Sequence, residues 1–265
     1  MAHTDSVTVG QSGRPGWRRP PLRNVVGVTG EILITLGVIV FLFLAYELWF
    51  TGLYTSQAQS NFKKQLQSEW ALPLPSPAAT LPGEAASSPP SAAPNSALGA
   101  SGQGFVDEPV PGDAMGIIRI PRLGSSYSFA IVEGVSTDDL KKGPGHYPGS
   151  ALPGHVGNFV LSGHRTTYLA PFNGLADLNP GDAIVIETRD TWYTYRVTRS
   201  ETVLPTDVDV ILPVPDKPRA KPTKALITLT TCTPKYSASH RLIVYGALES
   251  ALPKSAGPPP ALKAS

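Results

Sequence analysis

Cysteine is almost absent from this chain, which has one such residue among 265. A single cysteine excludes an intramolecular disulfide framework. An excess of charge of either sign is also missing, because the formal net charge is +2, and bulk charge therefore gives no reason to expect a nucleic-acid partner. Proline and glycine, at 28 and 25 residues, are plentiful but stay below the level that indicates wholesale disorder.

A long apolar run lies near the N-terminus. The segment 25–50 includes "ILITLGVIVFLFLAY" and carries only two charged residues, Glu31 and Glu47. It is long enough to cross a bilayer as a helix, whereas a core helix is rarely apolar all round and a cleaved signal peptide needs a small-residue cleavage site. Arginines precede it and aromatic residues end it. We expect an uncleaved signal anchor over 25–50, with residues 1–24 in the cytoplasm and the remainder outside.

Two further segments have the composition of spacers. Residues 51–104 start with a polar stretch that can continue as a helix to about residue 70, and from Ala71 they are almost all Ala, Pro, Ser and Gly. Such a composition cannot bury a core, so we predict an extracellular linker or stalk. Residues 251–265 are similar and predict a flexible tail. The folded domain is then expected within 105–250, an ordinary size for one domain.

The region 105–250 predicts an all-β domain. At least seven short runs rich in β-branched and aromatic residues alternate with Gly, Pro and Ser turn signals. One stretch, "STDDLKKG" (136–143), has the N-terminal Ser, early acids and closing Gly of a short helix. A closed or nearly closed β-barrel is the economical architecture, because closure removes exposed strand edges.

The single cysteine, Cys232, ends the run "ALITLTTC", and Arg241 opens the next run, "RLIVYGAL". A short loop joins the two runs, so we expect antiparallel neighbours, in which the end of one strand lies beside the start of the next. Cys232 and Arg241 should therefore share one rim of the sheet. A guanidinium at that rim favours a thiolate and can donate hydrogen bonds to an oxyanion during acyl transfer.

His164 ends the run "NFVLSGH" and so also lies at the end of a strand. A cysteine nucleophile generally needs an acid–base partner of this type, which also protonates a leaving amine. His146, His155 and His240 are less specific alternatives that can face solvent. From the residues alone, Cys232 is equally consistent with a small buried apolar side chain. A zinc site would need further close ligands, and no acidic cluster indicates calcium.

Taken together, these stretches resemble the sortases, a family of membrane-anchored cysteine transpeptidases, over about 115–248. The motifs that carry the resemblance are "GPGHYPGSALPG", "GNFVLSGHRTTYLAPF", "TLTTC" and "RLIVYGAL". The resemblance implies an eight-stranded β-barrel with short helices, preceded by one transmembrane helix. It also implies a catalytic set of His164, Cys232 and Arg241, weaker substrate contacts at Tyr147 and Thr231, and no cofactor or metal.

The resemblance implies a reaction as well. The thiolate attacks the carbonyl between Thr and Gly in the C-terminal sorting motif of a secreted protein, and an amine from a peptidoglycan precursor or a pilin lysine resolves the thioacyl-enzyme. His164 would act as general acid and then base, and Arg241 would stabilise the oxyanion or position the substrate. The motifs look most similar to class E, with class D next. This favours an LAXTG-like motif over LPXTG, and a Gram-positive source.

Two other functions remain open from the residues alone. One is another extracellular cysteine acyltransferase similar to the L,D-transpeptidases, which act directly on peptidoglycan and place a His-Gly pair shortly before the cysteine. Here Thr-Thr stands before Cys232 and His164 lies far upstream. The other is a stalked binding module without chemistry, which predicts an inert Cys232.

Overall fold

The computed structural model describes residues 22–72 and 109–263. The chain divides into two compact units, Met1–Glu47 and Leu48–Ser265. The predictions for the cytoplasmic N-terminus, apart from residues 22–24, and for most of the Ala/Pro/Ser-rich linker lie outside the described residues.

The first unit contains the start of a helix, α1 (Leu22–Ala71). Its window Val26–Leu44 has a mean hydropathy of 2.3 over 19 residues, and none of it is buried. At a rise of about 1.5 Å per residue, the window extends roughly 28 Å, close to the thickness of a bilayer's hydrocarbon core. By length and composition this is a candidate membrane span, and it lies within the segment 25–50 that the sequence indicated.

The second unit confirms the predicted closed barrel, with eight strands. A short helix, α2 (Thr137–Leu140), confirms the helical pattern at 136–143, and Ser136 and Asp139 cap its start reciprocally. The strands are β1 (Ala114–Arg119), β2 (Phe129–Glu133), β3 (Gly145–His146), β4 (Gly157–Ser162), β5 (Ala183–Glu187), β6 (Thr191–Val203), β7 (Ala225–Thr233) and β8 (His240–Pro253).

The order of strands around the barrel is β1-β2-β3-β4-β7-β8-β6-β5, with β5 closing on β1. Two pairs are parallel, β2 with β3 and β4 with β7, and the others are antiparallel. Alternate residues of each strand fill the interior, as pleating requires. From β4, β7 and β8 the interior residues are Phe159, Leu161, Ile227, Leu229, Leu242 and Val244.

The second half of α1 packs against the barrel. The side-chain amide of Gln59 donates to the carbonyls of Ala130 (3.0 Å) and Lys142 (2.8 Å) and accepts from the Ala130 N–H (2.7 Å). Ala130 lies on β2, beyond the two residues with which β3 pairs that strand, so Gln59 replaces a missing strand partner. A Cβ at position 143 would lie 2.3 Å from the Gln59 amide nitrogen, so Gly143 makes room for this contact.

These contacts place the domain boundaries outside those that the sequence indicated. Residues 51–71, expected in the linker, are helical and bury Gln59 and Leu66. At the other end, β8 continues to Pro253, and two 3-10 turns follow it, Lys254–Ala256 and Pro260–Leu262. The composition of these two segments did not indicate that they pack on the barrel, because only a few side chains of each segment make the contacts.

The Lys254 side chain joins the two extensions. Its ammonium lies 4.5 Å from the ring of Trp70 on α1 and 4.4 Å from the ring of Trp192 on β6. It also pairs with the buried carboxylate of Glu187, which Arg119 bonds at 2.8 Å. The end of α1 and the C-terminal segment are therefore held at one position on the barrel wall.

Candidate active site

The parallel pairing of β4 with β7 brings two strand ends to the same rim of the barrel. The register runs to Ser162 opposite Thr230, and beyond it the Gly163 N–H donates to the Thr230 carbonyl at 3.1 Å. Continuing the register places His164 beside Cys232. β4 ends at Ser162, so His164 follows the end of the strand by two residues.

Cys232 and Arg241 are directly opposite each other in the antiparallel β7–β8 pair. This confirms that they share one rim. Because Leu229 and Leu242 point into the core, strand alternation directs Cys232 and Arg241 to the outer face. His164 lies two residues beyond the end of β4. The pairing of β7 with both β4 and β8 therefore brings His164, Cys232 and Arg241 to one patch of the rim.

The imidazole of His164 is half-buried, and its Nε2 has no hydrogen-bond partner among the described residues. Burial lowers the pKa of His164 from its ordinary value of 6.5, because desolvation disfavours the charged form. A neutral imidazole can accept a proton. Sequence left the resting charge of the Cys–His pair open, and this burial favours the neutral imidazole.

The turn at Gly163 needs a glycine for packing reasons. A Cβ there would lie 2.7 Å from the ring of Phe172, which is completely buried. The Phe172 N–H in turn donates to the His164 carbonyl at 3.0 Å. Phe172 thus fixes the backbone on both sides of the bond between Gly163 and His164.

Arg165 is a residue of this rim that sequence reasoning did not single out. Its side chain is 7% exposed, and Nη1 donates to the Cys232 carbonyl at 3.3 Å. Among the described residues it forms no ion pair, and its Nε has no partner. A buried guanidinium without a carboxylate leaves a positive charge close to the cysteine. In the sequence, its position directly after His164 in "SGHR" could have indicated that Arg165 belongs to the site.

The guanidinium of Arg241 is turned toward the β7–β8 loop. Its Nη1 donates to the carbonyls of Ala238 (3.0 Å) and His240 (3.1 Å). The same loop is joined to the segment after His164 by a bond of 2.8 Å from the Lys235 ammonium to the Asn173 side chain. Arg241 therefore adjoins the cysteine through the backbone pairing, while its charged end contacts the loop.

The two weaker substrate candidates, Thr231 and Tyr147, lie at different distances from His164. The Thr231 side chain is buried, and its hydroxyl donates to the Gly163 carbonyl at 2.7 Å, so Thr231 holds β7 to the turn before His164. The Tyr147 N–H donates to the Val160 carbonyl, four positions before His164, which is about 13 Å along β4 at the usual rise. The substrate contact at Tyr147 stays a prediction.

His146, one alternative to His164, is withdrawn from solvent. It is 1% exposed, with Nδ1 at 2.5 Å from the Glu133 carboxylate and Nε2 at 2.8 Å from the Ser150 hydroxyl. Ser150 also accepts from the Val160 N–H at 3.3 Å. These bonds tie the Pro/Gly-rich loop to β2 and β4. The other two alternatives, His155 and His240, are exposed.

A long loop covers the outer face next to this patch. It carries the 3-10 turn Val208–Ile211, whose Val210 packs on Ile243 and Tyr245 of β8. The buried amide of Asn158 donates to the Leu212 carbonyl at 3.0 Å and so fixes the loop to β4. Within the described residues, no group of three or more His, Cys, Asp or Glu side chains could hold a metal ion.

The fold and this patch define a class of protein: a closed barrel at whose rim a single cysteine lies near a histidine and two arginines. A thiol with an acid–base partner and a donor for an oxyanion suits acyl transfer. A model of the sortase domain matches residues 118–249. Sortase SrtE2 of Streptomyces coelicolor is 33% identical over 93% of this chain and 92% of its own length. The chain belongs to the sortase family and is a cysteine transpeptidase.

Two further comparisons agree with this assignment. Sortase SrtE1 of Streptomyces coelicolor is 35% identical over 88% of this chain, which spans only 60% of that protein's length. The crystal structure of sortase E1 from the same species, solved with a tripeptide in the active site, is 37% identical with a TM-score of 0.54, covering 58% of this chain and 99% of that one. The similarity to class E is therefore seen in both sequence and structure.

Proposed function

We propose that this transpeptidase cleaves an LAXTG-like sorting motif between Thr and Gly in secreted proteins and joins the Thr carbonyl to a cell-wall amine. Family membership carries the general activity and the sorting-signal substrates. The observation that carries the assignment of residues is the patch of the rim at which the strand pairings bring His164 and Arg241 to either side of Cys232. No metal or other cofactor takes part in the proposed chemistry.

Acylation begins with His164 neutral, as its burial favours. His164 takes the thiol proton while the sulfur of Cys232 forms a bond to the Thr carbonyl carbon. The tetrahedral intermediate collapses when the C–N bond to Gly breaks, and His164 returns its proton to the leaving Gly amine. The products are a thioester on Cys232 and the free C-terminal peptide.

Deacylation reverses the roles of the same groups. The acceptor amine, from a peptidoglycan precursor or a pilin lysine, attacks the thioester carbonyl and gives a proton to His164. The C–S bond then breaks, and the sulfur recovers that proton to restore the thiol. A new amide joins the substrate to the acceptor, and the enzyme is unchanged.

Arg241 is proposed to stabilise the oxyanion of each tetrahedral intermediate or to position the substrate. A guanidinium cannot act as a base, but its donors suit a developing negative charge. Its bonds to the Ala238 and His240 carbonyls involve one end of a long, flexible side chain on a half-exposed residue. Rotation about that side chain would exchange the carbonyl contacts for the substrate oxygen.

The tripeptide in the active site of the related sortase E1 supports a peptide substrate for this chain. A peptide on the outer face meets His164 and Cys232 from the solvent side. Contact with Tyr147 would require the peptide to extend along β4, and Thr231 would influence the substrate through the position of Gly163. An LPXTG motif is the alternative to LAXTG.

The proposed location is the cell membrane, with the N-terminus in the cytoplasm and the catalytic domain outside. Sortases are membrane-anchored, and Val26–Leu44 is the candidate span. Arginines precede this span in the sequence, which favours a cytoplasmic N-terminus. The external side is where secreted substrates and cell-wall amines meet.

The test is a peptide library that varies the second motif position, assayed with triglycine as the acceptor amine. We expect the Ala peptide to give more Thr-linked product than the Pro peptide, and the Cys232→Ala variant to give none. A preference for Pro would overturn the LAXTG assignment. Turnover of a muropeptide that lacks any sorting motif would instead favour direct action on peptidoglycan.

A further inference from the structure

The segment that follows His164 holds three consecutive residues in the left-handed region of backbone space. Tyr168, Leu169 and Ala170 have φ angles of 53°, 59° and 45°. None is a glycine, and a residue with a side chain is strained in this region unless the surrounding structure holds it there. Three such residues in a row indicate a conformation that the rest of the fold imposes.

Backbone hydrogen bonds hold this segment from both ends. The Ala170 N–H donates to the Thr167 carbonyl at 2.8 Å, and the Phe172 N–H donates to the His164 carbonyl at 3.0 Å. The Asn173 side chain donates to the Arg165 carbonyl at 2.9 Å. The chain after His164 therefore folds back on itself and returns to the same residue.

The result of this fold-back is a contact between Tyr168 and His164. Their ring centroids are 4.9 Å apart, with an angle of 39° between the planes. The contact is between residues four apart in a non-helical segment, and Tyr168 is the first of the three left-handed residues. The tyrosine is itself half-buried.

We propose that Tyr168 is a positioning residue for His164, holding the imidazole against the rim and shielding one of its faces from water. This inference rests on the proposed acid–base role of His164. It gives the strained backbone a purpose, since a relaxed segment would carry the ring away. Tyr168 acts through the face of its ring, and the hydroxyl is dispensable for this role.

The groups around His164 make the prediction specific. Tyr168 contacts the imidazole, Arg165 follows it on the same segment, and Cys232 and Arg241 lie at the same rim on β7 and β8. Burial lowers the pKa of His164, because desolvation disfavours the charged imidazole. Removing the ring exposes His164 to water and so moves its pKa up toward 6.5, while replacing Tyr by Phe leaves it in place.

The test uses the full-length chain in detergent micelles and compares Tyr168→Ala, Tyr168→Phe and Leu169→Gly. The His164 titration is followed by NMR, and kcat/KM for an LAXTG peptide is measured against pH. We expect Tyr168→Ala to raise the NMR midpoint of His164, shift the acid limb of kcat/KM the same way and lower kcat roughly 10-fold to 100-fold, as misplaced catalytic groups do. Tyr168→Phe should resemble the unchanged protein in all three measurements.

Leu169→Gly is the control for backbone strain, because it removes a side chain from a left-handed position and leaves Tyr168 intact. It should keep the His164 midpoint. If Tyr168→Ala lowers the melting temperature but leaves the midpoint and kcat unchanged, Tyr168 has only a packing role and the inference fails. His164→Ala separates the two proposals: full activity in that variant removes the acid–base role, and the inference with it.

Discussion

At the scale of single residues, the patch depends on buried side chains that hold its backbone in place. The Thr231 hydroxyl bonds the Gly163 carbonyl, in the turn before His164. The Phe172 ring packs against Gly163, and the Arg165 guanidinium bonds the Cys232 carbonyl. Each is buried. The chemistry therefore rests on a buried layer, of which only Thr231 was predicted from the sequence, and that as a substrate contact.

Thr231 gives the first prediction. Thr231→Val keeps the shape of the side chain but leaves the buried Gly163 carbonyl without its donor, which costs about 1–3 kcal/mol. We expect the free energy of unfolding in urea to fall by that amount and kcat to fall with it, since His164 follows Gly163. Thr231→Ser restores the hydroxyl and should recover most of both. Equal losses in the two variants would show that the hydroxyl bond is unimportant.

The second prediction concerns pH. Because the folded-state pKa of His164 is lowered, the imidazole stays neutral to a lower pH than a free one. The acid limb of kcat/KM should therefore fall below pH 6.5. For stability the sign is the same: between the folded pKa and 6.5 the unfolded chain binds the proton first, so acidification through that window destabilises the fold. An acid limb above pH 7 would contradict this environment.

At the scale of elements, sequence and structure agree where the pairing is local. The β7–β8 hairpin follows from two adjacent apolar runs and a short loop, so the Cys232–Arg241 rim was predictable. The parallel pairing of β4 with β7 was not, because β5 and β6 intervene along the chain. Adjacent positions for His164 and Cys232 came from the family resemblance, and the structure supplies the reason for them.

The docking of α1 was missed for a different reason. The side chain of Gln59 supplies both a hydrogen-bond donor and an acceptor to β2. A polar contact of this kind leaves no hydrophobic periodicity in the sequence that would predict it. We predict that Gln59→Ala lowers the free energy of unfolding by about 2–3 kcal/mol, since it leaves buried backbone groups unpaired. Chemical denaturation of the solubilised chain measures this.

Gln57 on the same helix provides the matched control. It is exposed and bonds only Asn61, within the helix, among the contacts described. Gln57→Ala should therefore change the unfolding free energy by a few tenths of a kcal/mol at most, as surface substitutions usually do. A comparable loss in both variants would mean that the helix, rather than the Gln59 contact, is being tested.

At the scale of the whole molecule, the catalytic unit includes the part of α1 that follows the candidate membrane span. Leu48–Ser265 forms one compact unit, and Lys254 lies between Trp70 and Trp192. A chain that starts at Leu48 should therefore fold with a higher melting temperature than one that starts at Phe105, the boundary that composition indicated. Differential scanning calorimetry compares them, and equal melting temperatures would contradict the docking of α1.

The central claim is that Cys232 carries the acyl group between substrate and acceptor. Intact-mass spectrometry of the enzyme, quenched in acid during turnover of an LAXTG peptide without added amine, tests it most directly. We predict a mass increase equal to the peptide acyl portion up to Thr, located on Cys232, lost on adding triglycine, and missing from Cys232→Ala. An unmodified Cys232 in an enzyme that still forms the triglycine product would contradict the account.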